Sequence, residues 1–170
     1  MVKDDAILVL DSHRTMAIAT LRPDGWPQNT IVGYANLGLT VYFLIFRNSQ
    51  KFDNIQRDDR VALAIGEQPR DLRELNAVYA GAHATEVTDP GEQQDAWRLL
   101  TERHPNLAGF GLPDATQAAM MRAKCEFVSL LDYRAGPGHG RSFTVAADGS
   151  VQAAEAKRDD WGKHAIQGEP

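Results

Sequence analysis

Residues 39–55, LTVYFLIFRNSQKFDNI, decide how the rest of the chain is read. The first half, 39–46, is apolar at nearly every position and rich in β-branched and aromatic side chains, the pattern of a strand covered on both faces. The second half changes period. Ser49 can cap a helix, and Phe52 and Ile55 share a face at i, i+3, which predicts a helix of about two turns. A helix start leaves unpaired N–H groups and a partial positive charge, so a cation there is mildly unfavourable for the fold alone. Lys51 nevertheless takes the second helical position, Arg47 stands just upstream, and the first acid, Asp53, arrives late. Ser49, Gln50, Lys51 and Arg47 therefore form a candidate phosphate site. A serine cap beside a solvated lysine gives the same pattern, and the segment alone leaves both readings open.

Working outward, residues 15–21 (TMAIATL) form a compact strand that stops at Arg22-Pro23-Asp24-Gly25, where Pro presets φ and Gly accepts a left-handed conformation. Residues 26–34 make the second arm of that hairpin, with Pro27 near the strand start, where a missing N–H is tolerated. Asn36-Leu37-Gly38 turns the chain into the 39–46 strand. Asp4 and Asp5 ahead of Ile7, Leu8 and Leu10 predict a short leading helix. Beyond the central segment, residues 60–65 (RVALAI) return to strand, and 75–87 (LNAVYAGAHATEV) form a long strand with a bulge or bend at Gly81. Asp89-Pro90-Gly91-Glu92 combines an N-cap, a first-turn Pro and a capping-box Glu, with Trp97 and Leu100 on the buried face of a helix that ends at His104-Pro105. Residues 109–116 read as loop and 125–132 (CEFVSLLD) as strand. A last short strand, 142–145, follows the turn Gly136-Pro137-Gly138. The expectation is a mainly β domain with short helices, residues 1–148, built as a small barrel of six to seven antiparallel strands. Residues 149–170 are read as a polar tail, expected to be disordered. The βαβ alternation and G-x-G-x-x-G loop of a doubly wound sheet are both missing.

At 170 residues one continuous core is expected. A net charge of -5, with Lys and Arg scattered among acids, argues against a nucleic-acid partner. Cys125 is the only cysteine, so an internal disulfide and a cysteine-based zinc site within one chain are excluded. The first residues, MVKDDAILVLDSHR, are too acidic and too short in apolar core for a secretory signal. No stretch approaches the roughly 20 apolar residues of a membrane span, so a cytoplasmic location and no membrane partner are expected. His13, His83, His104, His139 and His164 have no paired spacing, and no metal site is expected. His139, in the tight turn 136–140, is read either as a cofactor contact or as part of a solvated loop.

The order of hairpin (RPDGWPQNTIVGY), strand (LTVYFLIF), helix (SQKFDNIQRDDR), strand (VALAI) and bent strand (VYAGAHATEV) resembles the FMN-binding split barrels related to pyridoxamine 5'-phosphate oxidase. The likeness covers residues 13–88 well and 125–143 loosely. It implies a homodimeric split barrel with FMN at the subunit interface and its phosphate at the start of the short helix. It also implies a set of cofactor residues. The strand with Asn29, Thr30, Ile31 and Val32 would lie along the flavin, with Leu44 and Ile45 on the adjacent strand. Arg47, Ser49, Gln50 and Lys51 would lie at the phosphate, Asn76 would reach the cofactor with its amide, and Tyr133 and Arg141 would approach from the late strands.

Two departures from the oxidase stand out. Asn29 and Gln50 occupy positions where the oxidase carries arginine, and residues 153–170 lack its arginine-rich ending. The resemblance thus implies an FMN-dependent oxidoreductase acting on a small-molecule substrate other than the vitamin B6 of the oxidase, with catalytic residues unassigned. A deazaflavin-dependent reductase, a haem-binding barrel and a non-catalytic flavin-binding dimer are the alternatives.

Overall fold

The computed structural model describes residues 1–136 and 139–154. Six strands close into an antiparallel barrel: β1 (Thr15–Leu21), β2 (Pro27–Leu37), β3 (Thr40–Phe46), β4 (Arg60–Gly66), β5 (Asn76–Glu86) and β6 (Ala118–Asp132). They run in the order β3-β2-β1-β4-β5-β6, and a β3–β6 pairing closes the ring. Two further strands, β7 (Gly140–Val145) and β8 (Val151–Ala154), extend the sheet from β6. The helices are α1 (Val2–Ser12), α2 (Gln50–Arg57) and α3 (Pro90–Arg103). Among the described residues, no helix is long and apolar enough to cross a membrane.

The first two hairpins are built as their turn residues require: Gly25 and Gly38, in the β1–β2 and β2–β3 connections, have φ of 85° and 59°. In β3, Val41, Phe43 and Ile45 point into the barrel, while Tyr42 and Leu44 face outward beneath Ala96 and Leu100 of α3. This is why the strand reads as apolar on both faces. α3 is pinned there by its predicted cap, the Asp89 carboxylate accepting from Glu92 N at 2.8 Å. The Glu92 carboxylate in turn accepts from the Tyr42 hydroxyl and the Arg122 guanidinium. Trp97 is half-buried at the margin of this packing.

β6 departs most from the sequence reading. It begins at Ala118, seven residues ahead of the expected Cys125, and its first half pairs with β3 from Phe46↔Ala118 to Thr40↔Lys124. Its second half leaves β3 and pairs with β7, from Phe127↔Thr144 to Leu131↔Gly140. The switch of partner coincides with a register shift against β5 between Gly81 and Ala82, the bulge that glycine marked. That bulge gives the barrel its split. Residues 151–154, expected within a disordered tail, are strand β8 paired with β7. The turn residues Pro137 and Gly138 and the remainder of the tail, 155–170, lie outside the described residues.

Candidate functional site

The start of α2 is organised around Ser49. Its backbone is extended, its hydroxyl oxygen accepts from Phe52 N at 3.3 Å, and the hydroxyl donates to Phe46 O at 2.6 Å. Gln50 donates from its amide to Asn54 Oδ1 at 2.9 Å, and buried Asn54 donates to Thr20 Oγ1 and Gln28 Oε1 at 3.0 and 3.1 Å. The helix is thereby locked across the hairpin β1–β2; Phe52 N and Asp53 N donate to Ser49 O, and the amides of Gln50 and Lys51 are left without a backbone partner among the described residues. Lys51 is half-buried and makes no ion pair among the described residues, and burial lowers its pKa from the ordinary lysine value. Arg47 is differently placed. Its guanidinium pairs with Glu86, its Nε donates to Ala115 O at 2.6 Å, and it lies 5.2 Å over the Phe52 ring. Of the two expected phosphate cations, one is unpaired and the other is neutralised.

A second patch lies on the outer face of the barrel. β1 and β4 alternate large and small residues, so Met16, Ile18, Val61, Leu63 and Ile65 fill the interior and Ala17, Ala19, Ala62 and Ala64 face outward. These alanines floor two adjoining hollows of about 230 and 400 Å³, shared at Ala17, Ala64 and Tyr79. Asn29 and Ile31 of β2 line one side, Tyr79 of β5 the middle and Phe127 of β6 the far side, and Gly81 leaves the floor low beneath them. Ile31 is 70% exposed, Tyr79 45% and Phe127 43%. A floor without bulky side chains admits a flat ring to van der Waals distance.

The third patch joins α1 to β5, β6 and β7 around a hollow of about 330 Å³ lined by Asn76, Asp132, Arg134, Arg141 and Asp5. Arg141 pairs with Asp5 at 2.8 Å, yet its Nε is buried without a partner. The Arg134 guanidinium beside Asp132 holds that carboxyl below the usual range. Tyr133 is half-buried and its backbone N–H donates to Leu75 O at 2.9 Å.

The expected site residues thus fall into distinct places. Asn29 and Ile31 line the outer-face hollows, Ser49, Gln50 and Lys51 open α2, and Asn76 and Arg141 share a pocket. Thr30 and Val32 alternate inward, Val32 packing on the core and the Thr30 hydroxyl buried without a partner. Ile45 is in the main core and Leu44 lies under α3, so these four side chains are engaged in packing and offer a ligand mainly backbone. The alanine floor and Phe127 were not singled out from sequence. Their signal was the alternation in TMAIAT and VALAI, where the small residues recur on one face. Among the described residues no cluster of His, Cys, Asp and Glu is arranged to hold a metal. His13, His83 and His104 are engaged with Val9 O, Asp59 and Tyr34 O.

A closed six-stranded antiparallel barrel split by a bulged strand, with a capped helix leading off β3, defines a split-barrel protein. The sequence model described as pyridoxamine 5'-phosphate oxidase matches residues 4–132, and the chain belongs to that family. A comparison with curated proteins found no match. Among solved structures, the haem-binding protein of Mycobacterium smegmatis superposes with a TM-score of 0.73 at 18% identity, covering 85% of this chain and 58% of that one. This chain therefore spans little more than half the length of that protein. An FAD-binding protein of Mesorhizobium loti gives 0.60 at 21% identity, covering 74% and 91%. The haem storage protein of Vibrio cholerae gives 0.61 at 17%, covering 70% and 86%. At these identities the likeness is one of fold.

Proposed function

We propose that the chain is a cytoplasmic, homodimeric flavin-binding protein. In this reading it holds FMN, or a flavin built on it, with the phosphate at the start of α2, and acts as an oxidoreductase on a small-molecule substrate. The observation that carries the reading is Lys51. A half-buried cation in the first turn of a helix, with no counter-charge among the described residues, opposes both the helix dipole and its own desolvation. A bound anion removes both costs, and the unpaired backbone amides of Gln50 and Lys51 stand at the same helix start. The alanine floor between Ile31 and Phe127 supports the other half of the reading, because it suits a flat, largely apolar ring system. When bound, a flavin supplies hydride chemistry at its N5, and the chain supplies position, dielectric and hydrogen bonds.

The neutralised Arg47, Asn29 and Gln50 leave the site less cationic than the oxidase pattern, which favours a function other than oxidation of pyridoxamine phosphate. Haem, held by two of the structural neighbours, needs an axial ligand, and neither outer-face hollow is lined by histidine. The visible spectrum of the purified protein separates flavin, deazaflavin and haem. For the phosphate, Lys51→Ala should weaken FMN binding about ten- to a hundredfold and leave riboflavin binding unchanged, as expected for loss of one charge-assisted contact. Equal losses for the two ligands would place the phosphate elsewhere.

A further inference from the structure

A cleft of about 670 Å³ adjoins the phosphate helix and has no role in the reading above. It is lined by Phe46, Arg47, Asn48, Thr116 and Gln117, and its size falls in the range of small-ligand sites, about 300–1,000 Å³. Three of these residues directly precede the Ser49 cap, so an occupant sits within a residue or two of the phosphate anchor. Phe46 ends β3 with 67% of its surface exposed and offers an aromatic face. The side-chain amides of Asn48 and Gln117, both exposed, make no hydrogen bond among the described residues. Arg47 uses three of its five N–H donors on Ala115 and Glu86, and Glu86 cancels its charge.

An aromatic face, two free carboxamides and a neutralised guanidinium do not make a second anion site. They match a neutral nucleoside, whose base stacks on the ring and whose hydroxyl and ring-nitrogen groups pair with the amides. We propose that this cleft holds the adenosine of an adenine dinucleotide bound beside the start of α2. The proposal rests on the flavin reading and names FAD as its first source, with a separately bound nicotinamide dinucleotide as the second.

The test titrates cofactor-free protein with riboflavin, FMN and FAD, and FMN-loaded protein with NADH and NADPH. FAD should bind roughly five- to a hundredfold more tightly than FMN, the range for stacking one base on an aromatic side chain. Phe46→Ala, which removes the stacking face, and Gln117→Trp, which fills the cleft from a turn, should each bring FAD down to the level of FMN without changing FMN affinity. If FMN and FAD bind alike but the FMN-loaded protein binds NADH or NADPH, and both variants abolish that binding, the adenosine belongs to the nicotinamide dinucleotide and the cleft assignment stands. Equal binding of FMN and FAD with no nicotinamide dinucleotide bound overturns the proposal, as does an adenosine-dependent gain that survives both variants. Failure of all three flavins to bind is a different result, since it overturns the flavin reading itself.

Discussion

Lys51 is the residue whose energetics separate binding site from scaffold. Burial disfavours its charged form, so its folded pKa lies below the ordinary 10.5. The unfolded chain then binds more protons than the folded one between those two values, and this group makes stability rise with pH across that window. Below the window the lysine is charged in both states and its cost is fully present. In cofactor-free protein, Lys51→Met should therefore raise the melting temperature by roughly 1–3 °C at neutral pH, the scale of a cation misplaced at a helix N-terminus. The gap between variant and parent should close as pH approaches 10.5. Comparing the two proteins cancels the tyrosines, of which Tyr42 is pushed up to about 12, chiefly by burial. A melting-temperature gap that does not change with pH would mean the lysine is solvated and its charge irrelevant to the fold.

At the scale of elements, the helices are tied to the barrel through few side chains. Arg103, in the last turn of α3, donates to Leu10 O, His13 O and Asn36 Oδ1 at 2.9, 3.2 and 2.7 Å, and lies 5.4 Å over the Tyr34 ring. The buried Tyr34 hydroxyl donates to the same Leu10 carbonyl at 2.6 Å. One guanidinium therefore satisfies the open C-terminal carbonyls of α1 while holding α3 against β2. Arg103→Met keeps the packing volume and removes the donors, and should cost about 2–3 kcal/mol of unfolding free energy in urea. Hydrogen exchange should quicken in α1 before it does in β3 or β6. Uniform acceleration across all elements would show that the contact is not a local clasp.

For the whole molecule, the question is what covers the outer face. Alanine is a poor choice for a solvated strand surface, and Ile31, Tyr79 and Phe127 rise around an alanine floor. In the proposed dimer a second copy covers this face and encloses the flavin. Sedimentation at micromolar concentration should then give a dimer, and Phe127→Glu, at an exposed position that the barrel interior does not need, should give a folded monomer with weakened flavin binding. Flavin affinity should also rise with protein concentration, because ligand and partner stabilise the same assembled state. A monomer that binds flavin as tightly as the parent would locate the site within one chain.

Much of this organisation was legible because it is local. The two-residue alternation in 15–21 and 60–65 sets which side chains enter the barrel. Ser49 and Asp89 cap the helices they were expected to cap, and Gly25, Gly38 and Gly81 mark two turns and a bulge. What the sequence by itself determined was thus the class of fold, the order of elements and the capped helix with its lysine. Tertiary structure decided the remainder. Residues 118–124 (AAMMRAK) consist mostly of good helix formers, yet they are strand, because β3 and β5 flank them and supply backbone partners on both sides. Arg47 is diverted to Glu86, and Asn76 and Arg141 line one hollow, across separations of 39 and 65 residues that no local pattern reports. Propensity and periodicity act over a few neighbouring residues, whereas closing the barrel selects partners from the whole chain, and that closure fixes which cation remains free to meet a ligand.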